Sequence, residues 1–412
     1  MTRPYRLLLA ADVGGEGLRH IGDEAMLEAN LDALRRFFPH ATFTLAASGQ
    51  SVQDVDAVVI SGGGNLSSSW PHLLHERVRL LQLARSLGLP AVVVGQTIGP
   101  NLRDDERSLL ADALSYARFV GVRELPSAAL ALGLGIAPER IWYQCDDAMF
   151  LDSGASQPAQ PRIAVTIDPQ VRTAGDEVYG ALVGQLRELS RVAAAPLVLI
   201  PHAFGDESPG TPSDLTEARL LAEALALPGT VIAAGLNARE AKRLTGEAAL
   251  VISTRYHPLV FGLAATVPSL GIYADEYTRV KLQGALMHAG REGWTMSYAA
   301  VARGELLPQA VALWEARAEL RAELAALLPA WREEHDARWC AILRALDPSA
   351  VLPANTPGTI FGRPAAEVAP LLAAALDARR EAMAHEREPQ REHAHLGKRL
   401  RRYASRLLRR LQ

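Results

Sequence analysis

Six consecutive residues, Ser253-Thr254-Arg255-Tyr256-His257-Pro258, bring a guanidinium, an imidazole and a proline suited to a first helical position into one short stretch. A helix N-terminus offers unpaired backbone N–H groups, arginine offers a planar two-point donor, and histidine holds or releases a proton near neutral pH. The combination suits binding a small anion and moving a proton beside it, with Arg255 and His257 as the catalytic candidates and Ser253 as a neighbouring donor-site hydroxyl. Lys281 could add a second positive point charge, although a lysine on a helix is also an ordinary surface residue. Arg123 follows an apolar run at 119–122 and could grip a carboxylate or phosphate, or equally pair with Glu124 or Asp147.

Further polar candidates also follow apolar, β-branched runs: Asp12, Ser61-Gly62-Gly63-Gly64-Asn65, Gln96-Thr97, Asp146-Asp147, His202 and Asp275. In open parallel sheets ligands gather beyond the carboxyl ends of strands, so this placement points to a cleft. Gly62, Gly63 and Gly64 let backbone N–H groups approach a ligand, or simply form a tight turn. Asp23 and Glu24, after Gly22, open a helix and could face the cleft or merely complement the helix dipole. Gln96 reads as part of a polar turn, and Asn65, Asp147 and His202 complete the cleft candidates. No metal-ligand spacing is recognisable.

The elements that must position these residues alternate strand and helix, which forces parallel strands joined by crossovers, an α/β class. Strands are expected at 6–10, 42–46, 57–60, 91–94, 119–122 and 141–145, then at 162–167, 197–200, 231–233, 250–252 and 269–273. Helices are expected at 23–38 and 73–87, with a capping box from Asn237 to Glu240. A small, polar, proline-containing stretch at 153–161 divides the chain into a domain at 1–155 and a domain at 162–305, two Rossmann-like units facing a cleft. A helical segment at 306–348 follows, and then a linker and tail at 349–412.

A chain of 412 residues accommodates two such cores. Its 49% hydrophobic and 22% charged residues describe a soluble globular protein. No apolar stretch of about 18 residues is present to span a bilayer. The short apolar run at 7–11 is broken by Asp12, so export is not expected and a cytoplasmic location is. Cys145 and Cys340 lie far apart and suggest neither a disulfide framework nor a metal site. A net charge of -3 disfavours nucleic acid as a partner.

Gly22-Asp23-Glu24-Ala25 with Leu27, Gly62-Gly63-Gly64, Gly95-Gln96-Thr97-Ile98-Gly99-Pro100, Arg123-Glu124 with Ser127, Asp147-Ala148 and Ser253-Thr254-Arg255-Tyr256-His257 resemble, in order and spacing, the successive motifs of the polysaccharide pyruvyl transferases. The resemblance implies a glycosyltransferase-B-like fold. It also implies transfer of the enolpyruvyl group of phosphoenolpyruvate, a co-substrate rather than a cofactor, to a glycan or lipid-linked sugar acceptor. Arg255 and His257 match the family's donor-site arginine and histidine, and Lys281 a basic residue after the next strand.

Two rivals remain: a nucleotide-sugar glycosyltransferase of the same fold, disfavoured because the stretch 258–265 lacks a carboxylate to hold a ribose, and a carbohydrate-binding relative without activity. In the tail, Leu396, Leu400, Tyr403, Leu407 and Leu411 fall at helical spacing among arginines and lysines. The stretch 391–412 thus reads as a basic amphipathic helix for an anionic membrane surface, a solvated tail, or a contact in a homo-oligomer.

Overall fold

Runs such as Ala91-Val92-Val93-Val94, apolar without alternation, suit strands covered on both faces, and they build two parallel sheets in the computed structural model of the chain. The structure describes residues 4–13, 19–46, 54–154, 160–204 and 212–350, all within one compact unit. The expected boundary at 153–161 falls partly, and the tail at 391–412 wholly, outside the described residues.

The first sheet uses β1 (Tyr5–Ala10), β3 (Ala41–Leu45), β4 (Ala57–Ile60), β5 (Gly63–Leu66), β6 (Ala91–Ile98), β7 (Phe119–Val122) and β8 (Ile141–Tyr143). Its order is β3-β1-β4-β6-β7-β8, with β5 paired onto β6. The second uses β9 (Ile163–Thr166), β10 (Leu197–Leu199), β12 (Val231–Ile232), β13 (Leu250–Ser253), β14 (Ser269–Tyr273) and β15 (Thr295–Ser297), in the order β12-β10-β9-β13-β14-β15. Between the halves, β2 (Arg19–His20) pairs antiparallel with β11 (Ala203–Phe204), and the Ile21 N–H donates to the His202 carbonyl at 2.9 Å.

Apolar cores fill each half and the seam between them. Leu7, Leu9, Val59 and Val92 fill the first half, and Ile163, Val165, Leu186 and Ile252 fill the second. A seam core of Ile21, Met26, Ala148, Tyr256, Leu259 and Phe261 lies between them. The expected helical segment becomes helices Leu306–Glu315 and Arg317–Leu346. The latter lends Leu324 and Trp331 to the seam core, passes Pro329, and then inserts Trp339, Ile342 and Leu343 into the first half's core.

Three local expectations need correction. β6 runs on to Ile98, so Gln96 and Thr97 are buried strand residues rather than a turn. The continuation is possible because Gly95, at φ +61°, sits where the pairing with β7 shifts register, a bulge that re-aims the strand. Gly63 and Gly64 belong to β5 rather than to a turn. The helix expected to start at Pro258 starts at Tyr256 with Arg255 as its N-cap, which places His257 inside its first turn.

Candidate functional site

The helix Ile21–Phe37 and the helix Tyr256–Ala264 meet at their N-termini, and Gly22 is the reason they can. A Cβ at Gly22 would overlap the imidazole of His257. His257 therefore lies on the seam between the halves, its side chain 8% exposed, with Nε2 3.8 Å from Oδ2 of Asp146. Burial holds the imidazole well below its usual pKa, and the charges of Arg123 and Lys281 push it further down. Its ordinary value near 6.5 thus does not apply here, and the shift favours the neutral ring.

Arg123 is buried against the same group. Its Nη1 donates to Asp146 at 2.7 Å, its Nε donates to Glu124 and to Thr97, both at 3.0 Å, and its guanidinium lies 4.3 Å from the Tyr256 ring centre. Thr97 and Ser127 also donate to Glu124, at 2.7 and 3.0 Å, so the motif residues within β6 and after β7 serve to lock this pair. Lys281, on the helix Glu276–Met287, stands 5.6 Å from the Tyr256 ring and 3.4 Å from the Tyr277 hydroxyl. That hydroxyl donates to the Gly64 carbonyl at 2.8 Å, joining the second half to the first. A Cβ on Gly64 would fall 2.6 Å from the Tyr277 hydroxyl and 3.0 Å from the Lys281 ammonium, so only glycine permits this approach.

Acidic groups complete the cluster. Burial pushes Asp23 up to about 6, opposed by Lys281 and then Arg123. Asp12 is likewise pushed up to about 6 by burial, opposed chiefly by Arg77, with which it pairs. The structure therefore assembles His257, Arg123, Lys281, Asp23 and Gly64, together with Asp146.

Other candidates are placed elsewhere. Arg255, 27% exposed, is held by Asp214, its Nη2 2.6 Å from Oδ1 and its Nε 3.1 Å from Oδ2. Asp214 in turn accepts from the backbone N–H groups of His202 and Ala203, which fixes Arg255 to the strand pair linking the halves. Ser253 is not a free donor-site hydroxyl: it donates to the Arg255 carbonyl at 2.8 Å and accepts from the Arg255 N–H at 2.9 Å, shaping the loop. His202 is sealed in the seam against Phe261, burial lowering its pKa to about 3.

Asp147 pairs instead with Arg338 at 2.8 Å, both 1% exposed. Gln96 donates to the Ser61 carbonyl, a structural bond inside the sheet. Glu24 pairs with Arg19, Asn65 packs beside Gly63, and Gly62 lies against Met26 and the Gly95 carbonyl. Sequence reasoning did not single out Asp214, His20, Tyr277 or Arg338. Among the described residues no group of His, Cys, Asp or Glu is arranged to hold a metal ion.

The family model for polysaccharide pyruvyl transferase matches residues 20–276, more than half of the chain. The chain belongs to the polysaccharide pyruvyl transferase family. It is a transferase family acting on polysaccharide, and the matched stretch contains every residue of that cluster except Lys281. No curated protein sequence matches the chain.

Among solved structures it is similar to the UDP-GlcNAc 2-epimerase of Neisseria meningitidis, at 9% identity and a TM-score of 0.50, covering 77% of this chain and 94% of that one. A protein of Listeria monocytogenes, named as a candidate UDP-N-acetylglucosamine 2-epimerase, is similar at 12% identity and a TM-score of 0.50, covering 78% of this chain and 91% of that one. At such identity the likeness shows the fold alone, the glycosyltransferase-B-like arrangement of two Rossmann-like sheets. Among the described residues no helix is long and apolar enough to cross a membrane.

Proposed function

We propose that this family member transfers the enolpyruvyl group of phosphoenolpyruvate to two hydroxyls of one sugar in a cell-envelope or exopolysaccharide glycan, forming a pyruvate ketal and releasing phosphate. The observation that carries the reading is the convergence of Lys281 and Arg123 on Gly64, with Arg123 sharing Asp146 with His257 in the first turn of its helix. A donor bearing both a phosphate and a carboxylate needs cations and N–H groups in a dry setting, where each is worth more than in water. Lys281 and Arg123 belong to the cluster, and Arg255, two residues before His257 in the chain, has its guanidinium set by Asp214.

Burial first, and then Arg123 and Lys281, favour the neutral imidazole of His257. A bound dianion offsets those two charges and raises the imidazole's affinity for a proton, so donor binding itself arms the acid. The proton then goes to the methylene carbon, positive character develops at C2, one sugar hydroxyl adds, phosphate leaves with the C2–O bond, and the second hydroxyl closes the ketal. Of the two hydroxyl protons, one replaces that given to carbon and the other leaves with phosphate. Asp23, whose carboxyl burial pushes up to about 6, is the base that takes a hydroxyl proton in this reading.

The test follows phosphate release and product mass with phosphoenolpyruvate and a panel of cell-envelope glycans. Phosphate release that depends on acceptor, with the mass gain of a ketal, supports the reading. Turnover of nucleotide sugars instead overturns it.

A further inference from the structure

Trp70 is 45% exposed, an unusual position for so large an apolar ring, and its surroundings hold it still. The turn before it is pinned: the Ser68 N–H donates to the Asn101 carbonyl at 2.8 Å, the Arg103 N–H donates to the Ser68 hydroxyl at 2.8 Å, and that hydroxyl donates to the buried carboxylate of Glu106. The Trp70 N–H donates to the Ser67 carbonyl at 3.0 Å, and the helix Pro71–Ser86 begins directly afterwards. The indole edge is fixed as well, since Nε1 donates to the Tyr277 hydroxyl at 3.3 Å. That same hydroxyl touches the Gly64 carbonyl and lies 3.4 Å from the Lys281 ammonium. An exposed aromatic face is therefore held rigidly, its polar edge two contacts from the charged cluster.

We propose that Trp70 is the platform on which a pyranose ring of the acceptor stacks, with the Tyr277 hydroxyl setting the ring's distance from Lys281. The proposal deepens, and rests on, the reading of this cleft as the site of transfer to a sugar. A pyranose presents a face of polarised C–H groups that suits the negative face of an indole, and its hydroxyl rim suits neighbouring polar groups. Immobility before binding spares the ordering cost that a mobile tryptophan would impose. One stacked ring also leaves its edge hydroxyls directed towards the cluster, the geometry that ketal closure on a single sugar requires.

The experiment presents the full chain, without phosphoenolpyruvate, to methyl β-galactopyranoside, methyl β-glucopyranoside and methyl α-mannopyranoside, and reads saturation transfer to the sugar protons by NMR. Transfer to the C–H protons of one ring face is expected for at least one probe, weakened about tenfold in Trp70→Ala and retained in Trp70→Phe. The phenylalanine variant loses the bond to Tyr277 but keeps a ring, so its retention isolates the face. Equal transfer in wild type and Trp70→Ala, or transfer to none of the probes, overturns the platform. Because the donor is absent, failure of pyruvyl transfer leaves this readout unchanged. Conversely, an active enzyme whose acceptor KM is unmoved in Trp70→Ala overturns the platform while the reaction stands.

Discussion

Asp146 and Asp147 are neighbours in the chain, both buried, and each faces a buried arginine. Asp146 meets Arg123 at 2.7 Å within reach of His257, while Asp147 meets Arg338 on the helix Arg317–Leu346 at 2.8 Å. The two pairs look alike, yet what surrounds them differs. Around Asp146 lie an imidazole that burial holds well below its usual pKa, an ammonium, and a carboxyl that burial pushes up to about 6. Asp147 has Gln144 and the close backbone of Gly95 beside it, so that pair ties the helix Arg317–Leu346 to the first sheet. A buried ion pair is thus weak evidence of chemistry, and titratable neighbours aimed at a shared gap are stronger.

The contrast can be broken at either end. The largest effect belongs to the cluster: His257→Ala should lower transfer about a thousandfold, with an unchanged circular-dichroism melt. Wild-type turnover in that variant would remove the functional half of the comparison. At the other pair, Arg338→Met strands the Asp147 carboxylate and should cost about 3–5 kcal/mol in chemical denaturation, while the KM for phosphoenolpyruvate stays put.

Gly22→Ala should affect both halves of the contrast, costing about 1–3 kcal/mol by forcing His257 aside and lowering kcat with it. Acid sensitivity sharpens the comparison further, since burial holds His20 down at about 4 and His202 at about 3. Both are neutral when folded but take a proton when unfolded. Their contribution is complete above about 6.5 and is lost as pH falls towards those folded values, so His202→Leu should flatten the acid limb of a pH–stability curve by on the order of 1 kcal/mol per pH unit. The smallest effect is expected at Glu24→Gln, which breaks a partly exposed pair with Arg19 and should cost less than about 1 kcal/mol.

Much of the frame was legible because burial on both faces leaves a plain mark. The strands at Ala57–Ile60, Phe119–Val122 and Ser269–Tyr273 are uninterrupted apolar or small-residue runs, and the box from Asn237 to Glu240 forms as its spacing requires. The placement of His257, Arg123 and Lys281 near one gap followed from the rule that loops converge beyond strand ends. Partners brought by tertiary packing were not legible. Asp214 opens a helix 41 residues before Arg255 and reads in sequence as a dipole complement. Arg338 reads as one more charge on a long helix, and Gln96 as a turn, because nothing local reports the bulge at Gly95. Glycine at 22 and 64 carried a signal after all, but its meaning lay in the side chain arriving from the other half.

The path of the helix Arg317–Leu346 constrains how the molecule is born. Residues of the first sheet leave the ribosome early, yet Trp339, Ile342 and Leu343, which occupy its interior, are synthesised after the whole second sheet. The nascent first half must therefore wait, with an apolar hollow open, until translation has passed Leu346, an interval in which chaperones have surface to shield.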